Sequence, residues 1–430
     1  MARKMKDSDI EWIGEIPEGW RTINPKALFT QRKDKAQKGE RQLTSSQQYG
    51  ILYQDDYMEL TGSKVVTVEK DFDILKHVEA GDFVISMRSF QGGLEYSTKS
   101  GAISSAYVML VPNLELVYPR FYRWLLKSSV YIDALQRTTN MVRDGQAMRY
   151  SNFAQVRLFT LPLDEQKSRA DFLDLECSSI DKILFKTRSS IEEYKKLKQT
   201  VITQAVTKGV RGEQEMKDSG VEWAGLVPHH WGVAKIGSIG QTSSGATPLR
   251  SKESSFFDDA TIRWVRTLDL NDGFVYDSSE KITELALASS ACSIMPKGTV
   301  CVAMYGGAGT IGKCGLLMSD CATNQAVCSI VCNRKIVSPI FLLMQLLALK
   351  SYWMKYAVGT RKDPNISQDI VARMKILIPP LDEQKEITDH LDAKCAEIDG
   401  LIAKKEQLVK ELESYKKSLI YEVVTGKREV

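Results

Sequence analysis

The chain has 430 residues, 43% of them hydrophobic and 26% charged, an ordinary balance for a globular protein and enough length for two to four structural units. Its net charge of +4, from 58 basic and 54 acidic side chains, is compatible with nucleic-acid binding without demanding it, because a local basic face matters more than the total. No apolar run reaches the roughly 18 residues of a membrane span, and Met1 to Lys6 is basic and polar with no apolar stretch behind it, so neither a membrane segment nor a signal peptide is expected and the chain is placed in the cytoplasm.

Residues 5–20 read MKDSDIEWIGEIPEGW, and residues 216–231 repeat this as MKDSGVEWAGLVPHHW. Trp12, Gly14, Pro17 and Trp20 thus recur in register as Trp223, Gly225, Pro228 and Trp231. Behind the first copy, 83–85 and 107–111 have the β-branched, turn-bounded character of strands, and 119–135 opens at a proline suited to the first turn of a helix. Behind the second copy, 300–304 and 327–331 read as strands and 339–356 as another proline-led helical stretch. The two globular segments do not otherwise resemble each other closely.

Each segment leads into the same string, PLDEQK, at 162–167 and again at 380–385. A proline followed by Asp and Glu suits a helix start, where negative charge complements the macrodipole. The register continues through Leu173 with Leu391, Cys177 with Cys395 and Asp181 with Asp399. Ile180, Ile183, Thr187, Tyr194, Leu197 and Val201 fall near heptad a and d positions, as do Ile398, Leu401, Leu408, Leu412, Tyr415 and Leu419. Roughly 40 residues of helix make a rod of about 60 Å whose apolar seam needs a partner. Antiparallel packing of the two copies is the simplest solution, with packing of each helix on its own globular segment as the alternative. The expected fold is mixed α/β (α+β): globular units at 1–161 and 211–379 alternate with long helices at 162–210 and 380–430, related by a pseudo-two-fold repeat.

Few residues carry catalytic chemistry. None of the eight cysteines forms a C-x-x-C pair and only four histidines occur, so buried free thiols and no metal site are expected. Residues 307–313, GAGTIGK, have phosphate-loop spacing, but Cys314 stands where a magnesium ligand needs a hydroxyl and no helix pattern follows. No cofactor-binding glycine loop and no base-methylating tetrapeptide is found. Polar loops at strand ends are better suited to DNA. Arg88, Ser89 and Gln91 follow the strand at 83–85, and arginine and glutamine are the side chains that read guanine and adenine in the major groove. Tyr305, Thr310, Lys313 and Asn324, with its neighbour Gln325, occupy comparable places in the second segment. Further donors gather just ahead of each long helix: Arg143, Gln146, Arg149 and Tyr150 in the first half, Arg361, Lys362, Asn365, Ser367 and Gln368 in the second. A solvated turn is the alternative for any one of these loops.

The two Trp-x-Gly-x-x-Pro-x-x-Trp motifs, the two PLDEQK helix starts, and the strings around Arg88–Gly93, Tyr305–Lys313 and Thr323–Gln325 resemble the specificity subunits of type I restriction–modification systems over essentially the whole chain. The resemblance implies a non-catalytic subunit that reads a bipartite DNA site with two target-recognition domains spaced by the helices. It implies two copies of a modification subunit as partners, which bring S-adenosylmethionine and the adenine-methylating chemistry. Motor and restriction subunits using ATP and magnesium join them, so this chain itself needs no cofactor. A scaffold that joins protein partners without touching DNA is the competing reading, and it leaves the polar loops without a role.

Overall fold

The computed structural model describes residues 3–68, 72–86, 94–138, 149–306, 309–359 and 364–430. The chain divides into two compact units, Met1–Arg188 with Gln407–Val430, and Ser189–Glu406. The fold is mixed helix and strand, as expected from the sequence.

The heart of the first unit is an antiparallel sheet of β1 (Phe29–Arg32), β2 (Phe83–Ser86), β3 (Leu94–Tyr96) and β4 (Tyr107–Pro112), in the order β1-β4-β2-β3. The second unit has β5 (Gly240–Ser244), β6 (Gly273–Val275), β7 (Val300–Ala303), β8 (Cys314–Leu317) and β9 (Val327–Cys332), in the order β5-β9-β7-β8-β6. The register is the same in both. Ser86 pairs with Tyr107 as Ala303 pairs with Val327, and Phe29 pairs with Pro112 as Gly240 pairs with Cys332. Two segments with little sequence in common therefore build one sheet twice, because burial pattern and pairing register, rather than residue identity, specify it.

The tryptophan motif folds identically in both units. Met5–Asp7 pairs with Glu15–Pro17 and Met216–Asp218 with Leu226–Pro228, and the turns between them need positive φ at Gly14 (71°) and Gly225 (60°), which glycine supplies without strain. Trp20 and Trp231 are fully buried, and Trp20 stacks on Phe159 with ring centroids 5.0 Å apart. Each indole N–H donates to a glutamate of PLDEQK, Trp20 to Glu165 and Trp231 to Glu383, both at 3.1 Å.

The rest of that string is equally engaged. Gln166 accepts from the backbone N–H of Tyr118 and donates to the carbonyls of Leu116 and Leu161. Gln384 accepts from Ser338 and donates to Ile336 and Pro379. Each glutamine is fully buried and bonds three backbone groups, tying a distant turn (116–118 or 336–338) to the residues just ahead of the long helix.

The long helices run over Leu163–Lys208, 46 residues, and Leu381–Val424, 44 residues. At 1.5 Å per residue each is about 65–70 Å long. In the first unit their segments pair antiparallel, with Lys416 on Asp181 at 2.6 Å and Arg188 on Glu413. In the second unit Lys198 on Asp399 at 2.6 Å, together with Lys405 over the Tyr194 ring at 5.7 Å, shows the same direction. These exposed pairs set alignment more than stability, at roughly 0–1 kcal/mol each. The helices also enter the domain cores: Ala170, Leu173, Cys177, Ile180 and Leu184 join Leu419, Val423 and Val424 in the first core, and Ile202, Ala205 and Val206 join Ile387 and Leu391 in the second.

The seam differs from the one expected at several positions. Ile180, Ile398 and Leu419 are buried, and Tyr194, Val201 and Leu412 are half-buried. Ile183, Leu197, Leu401, Leu408 and Tyr415 are exposed instead. The buried heptad of the first helix is Leu173, Cys177, Ile180, Leu184, Thr187 and Ile191, alternating four and three residues. Stepping three residues from Ile180 to Ile183, where the helix steps four to Leu184, puts Ile183 on the neighbouring face, while the expected Thr187 stays in the buried row.

Cys301, Cys314, Cys321 and Cys328 sit buried in or beside the second sheet as free thiols, and burial pushes Cys301 and Cys328 up to about 12. Among the described residues no helix is long and apolar enough to cross a membrane, and no three His, Cys, Asp or Glu side chains gather where a metal ion would fit.

Candidate nucleic-acid interface

Three connections meet at one end of the second sheet. Residues 304–313 link β7 to β8, residues 324–326 lead into β9, and the hairpin Val358–Gly359/Pro364–Asn365 lies beside them. Backbone hydrogen bonds join all three, from Met304 to Ala326 at 2.8 Å and from Ile366 to Met304 at 3.0 Å. The rim they form carries the second half's candidates.

Tyr305 is 40% exposed there, Lys313 and Asn365 are half-buried, and Gln325 is exposed. Other candidates have structural partners. Thr310 is buried against Gly306, whose added Cβ would lie 2.9 Å from the Thr310 methyl. Asn324 caps its own turn by accepting from Ala326 at 3.2 Å. Ser367 caps the helix Gln368–Arg373 by accepting from Ile370, and the Gln368 amide donates to the Thr242 carbonyl at 3.0 Å. Arg361 and Lys362 lie outside the described residues.

The phosphate-loop spacing has a different cause here. Gly312 has φ of +77°, and a Cβ on it would lie 2.2 Å from the buried Trp353 ring. Lys313 is followed directly by β8, so no helix N-terminus points back at the loop as a phosphate cradle requires. Gly312 serves packing and turn geometry.

In the first unit Arg88, Ser89 and Gln91, on the link from β2 to β3, and Arg143 and Gln146 lie outside the described residues. Arg149 is exposed as the N-cap of the helix Tyr150–Phe153. Tyr150 is half-buried, with its hydroxyl donating to the Phe29 carbonyl at 3.1 Å and its ring stacked on Phe153, which makes it a strut for β1. The turn leading into β4 matches the one leading into β9: Tyr107 donates to the Ser104 carbonyl at 3.1 Å as Val327 does to Asn324 at 3.2 Å, and both turns are capped by the side chain of their first residue. Their tips are Ser105 and Gln325, both exposed.

Thr247 was not among the sequence candidates. Its hydroxyl donates to the Gln325 carboxamide oxygen. The two residues are far apart in the chain, and only the close approach of Gly245 to Thr323 signals the contact. A Cβ at Gly245 would fall 1.8 Å from the Thr323 carbonyl oxygen, so no other residue fits.

Comparison with known proteins agrees with this arrangement. A profile of the type I restriction modification DNA specificity domain matches residues 228–411. The type I restriction enzyme MjaVIII specificity subunit of Methanocaldococcus jannaschii is 24% identical over 359 residues, 81% of this chain and 80% of that one. The MjaIX specificity subunit of the same organism is 27% identical over 184 residues, and the match spans only 41% of its length. A solved structure described as the basis of complex assembly and conformational transition of the type I R-M system is similar over 96% of this chain and 99% of that chain, with a TM-score of 0.72 at 14% identity.

Proposed function

We propose that this chain, which belongs to the specificity subunits of type I restriction–modification systems, reads a bipartite DNA site with one half-site for each of its two sheet-and-rim domains. The observation that carries this is the duplication itself: one sheet, in one register, is built twice, while the residues at its rims differ. A like scaffold with unlike rims yields an asymmetric two-part site. The recognition domains are 1–161 and 211–379, and the helices at 162–210 and 380–430 set the spacer between half-sites. The chain recognises and does not catalyse. Two modification subunits meet its two equivalent halves and supply S-adenosylmethionine and adenine methylation, and motor–restriction subunits supply ATP-driven cleavage.

Binding to duplex DNA in complex with the modification subunits, measured across a salt series, tests the reading, because phosphate contacts release counterions and make log affinity fall linearly with log salt. A complex that assembles yet binds DNA without sequence preference would reduce the chain to a scaffold. Lengthening both helices in concert by one heptad is expected to change the spacer in the methylated site and leave both half-site sequences as they are. Altered half-site bases in methylome sequencing would refute the helices as the ruler.

A further inference from the structure

On the reading of this chain as a DNA-recognition subunit, we propose that Gln325 contacts a base edge in the second half-site, that Thr247 is the residue that positions it, and that the equivalent tip, Ser105, holds the corresponding place in the first domain.

The geometry fixes Gln325 unusually well for an exposed side chain. Its turn is closed by the Asn324 carbonyl and carboxamide, which bind the N–H groups of Val327 and Ala326. Asn324 itself is tied to the sheet by its N–H on the Val265 carbonyl at 3.0 Å. This spends Asn324 on the turn and leaves Gln325 at the apex.

Thr247 is equally constrained. Gly245 lies against the Thr323 carbonyl, which also accepts the Ala246 N–H at 3.1 Å. The Ala246 carbonyl in turn accepts the Trp264 indole N–H and the Cys292 thiol, both at 3.1 Å. Pro248 is buried next in line and restricts Thr247 to extended backbone.

A carboxamide is ambiguous to DNA because its two ends exchange donor for acceptor on a flip. The Thr247 hydroxyl donates to the oxygen end, which pins the carboxamide in place and turns the Gln325 nitrogen away as donor. The oxygen keeps a second lone pair, so the pair still offers the donor–acceptor pattern that glutamine uses on adenine N7 and N6. Serine at the first tip has a single short hydroxyl and accommodates either kind of edge, so the two domains read their positions with different stringency.

The test uses the full chain with its modification subunits and duplexes carrying every single-base change in each half-site, taken from the methylated site of the wild-type complex. Gln325→Ala is expected to lose roughly ten- to a hundredfold of discrimination at one position of the second half-site, with the first half-site unchanged. Thr247→Val is expected to lose about three- to tenfold at that same position, and Thr247→Ser to restore it. Equal affinity loss on every duplex would assign Gln325 to phosphate, and unchanged discrimination would make it a solvated tip; either overturns the proposal while leaving DNA recognition intact. A Thr247→Ser variant as relaxed as Thr247→Val would remove the positioning role. No sequence preference in the wild-type complex would overturn the reading beneath it as well.

Discussion

Arg169→Met is expected to destabilise the first unit by about 3–5 kcal/mol, the usual cost of breaking one side of a buried ion pair. The side chain is 2% exposed and saturated with partners: it donates to Glu165 at 2.8 and 3.1 Å and to the carbonyls of Val423 and Arg428 at 2.8 and 2.9 Å. Methionine keeps the stem but takes one donor from the Val423 carbonyl, in the last turn of the second long helix, and from the Arg428 carbonyl just beyond it, and leaves a carboxylate with one arginine fewer. Hydrogen exchange over residues 419–430 should rise sharply, and protection within about 1 kcal/mol of the wild type would contradict the expectation.

Acid should act on the same cluster. Burial alone would raise the Glu165 carboxyl, but hydrogen bonds from Arg3, Arg169 and Trp20 outweigh it and hold the group at about 2, below its ordinary 4.5. A depressed carboxylate stabilises the fold above pH 4.5, on the order of 3 kcal/mol here, and that contribution is lost as pH falls from 4.5 toward 2. With Arg169 replaced, the window narrows, because the carboxyl moves back toward its ordinary value.

Gly312→Ala is the second large effect, expected at about 3 kcal/mol and confined to the second unit. Positive φ costs an alanine about 1–2 kcal/mol, and forcing a methyl into the buried Trp353 ring adds about 1–3 kcal/mol. Because the Gly312 N–H and the Lys313 carbonyl both bond Ala303, the shift propagates to the end of β7 and so to the rim. Second half-site recognition should fail while first half-site recognition persists. A variant with wild-type unfolding and wild-type reading of both half-sites would contradict the packing argument.

Much of this architecture was legible in the sequence, for physical reasons that differ by element. The repeated strings were conspicuous because many residues in them have a specific partner or geometry: Trp20 needs Glu165, Gln166 binds three backbone groups, and Gly14 needs positive φ. The likeness of the two sheets was hidden, because many apolar sequences satisfy one burial pattern; Phe83, Leu110 and Phe29 stand in one unit where Val300, Ile330 and Gly240 stand in the other. The helix seam was misplaced in part: Ile180 and Thr187 lie in its buried row as expected, but that row runs through Cys177 and Leu184, while Ile183, Leu197 and Leu401 lie outside it. At the rim, residue type alone could not separate readers from struts. Tyr150, Ser367 and Gln368 have suitable chemistry but are occupied by Phe29, Ile370 and Thr242, and the Thr247–Gln325 contact joins segments too distant for any local pattern to register.

The placement of thiols gives the molecule a one-sided clock. Cys292, Cys301, Cys314, Cys321, Cys328, Cys332 and Cys395 belong to the second unit, and Cys177 alone to the first. Cys332 and Cys395 are partly exposed, but Cys292, Cys301, Cys314, Cys321 and Cys328 are buried. Since a buried thiol alkylates only when its surroundings open, slow mass added at these five by a thiol reagent under native conditions times the breathing of the second recognition domain and is almost blind to the first. Cognate DNA that engages the second half-site should slow this clock, so occupancy of one half of an asymmetric site can be followed in an unlabelled protein.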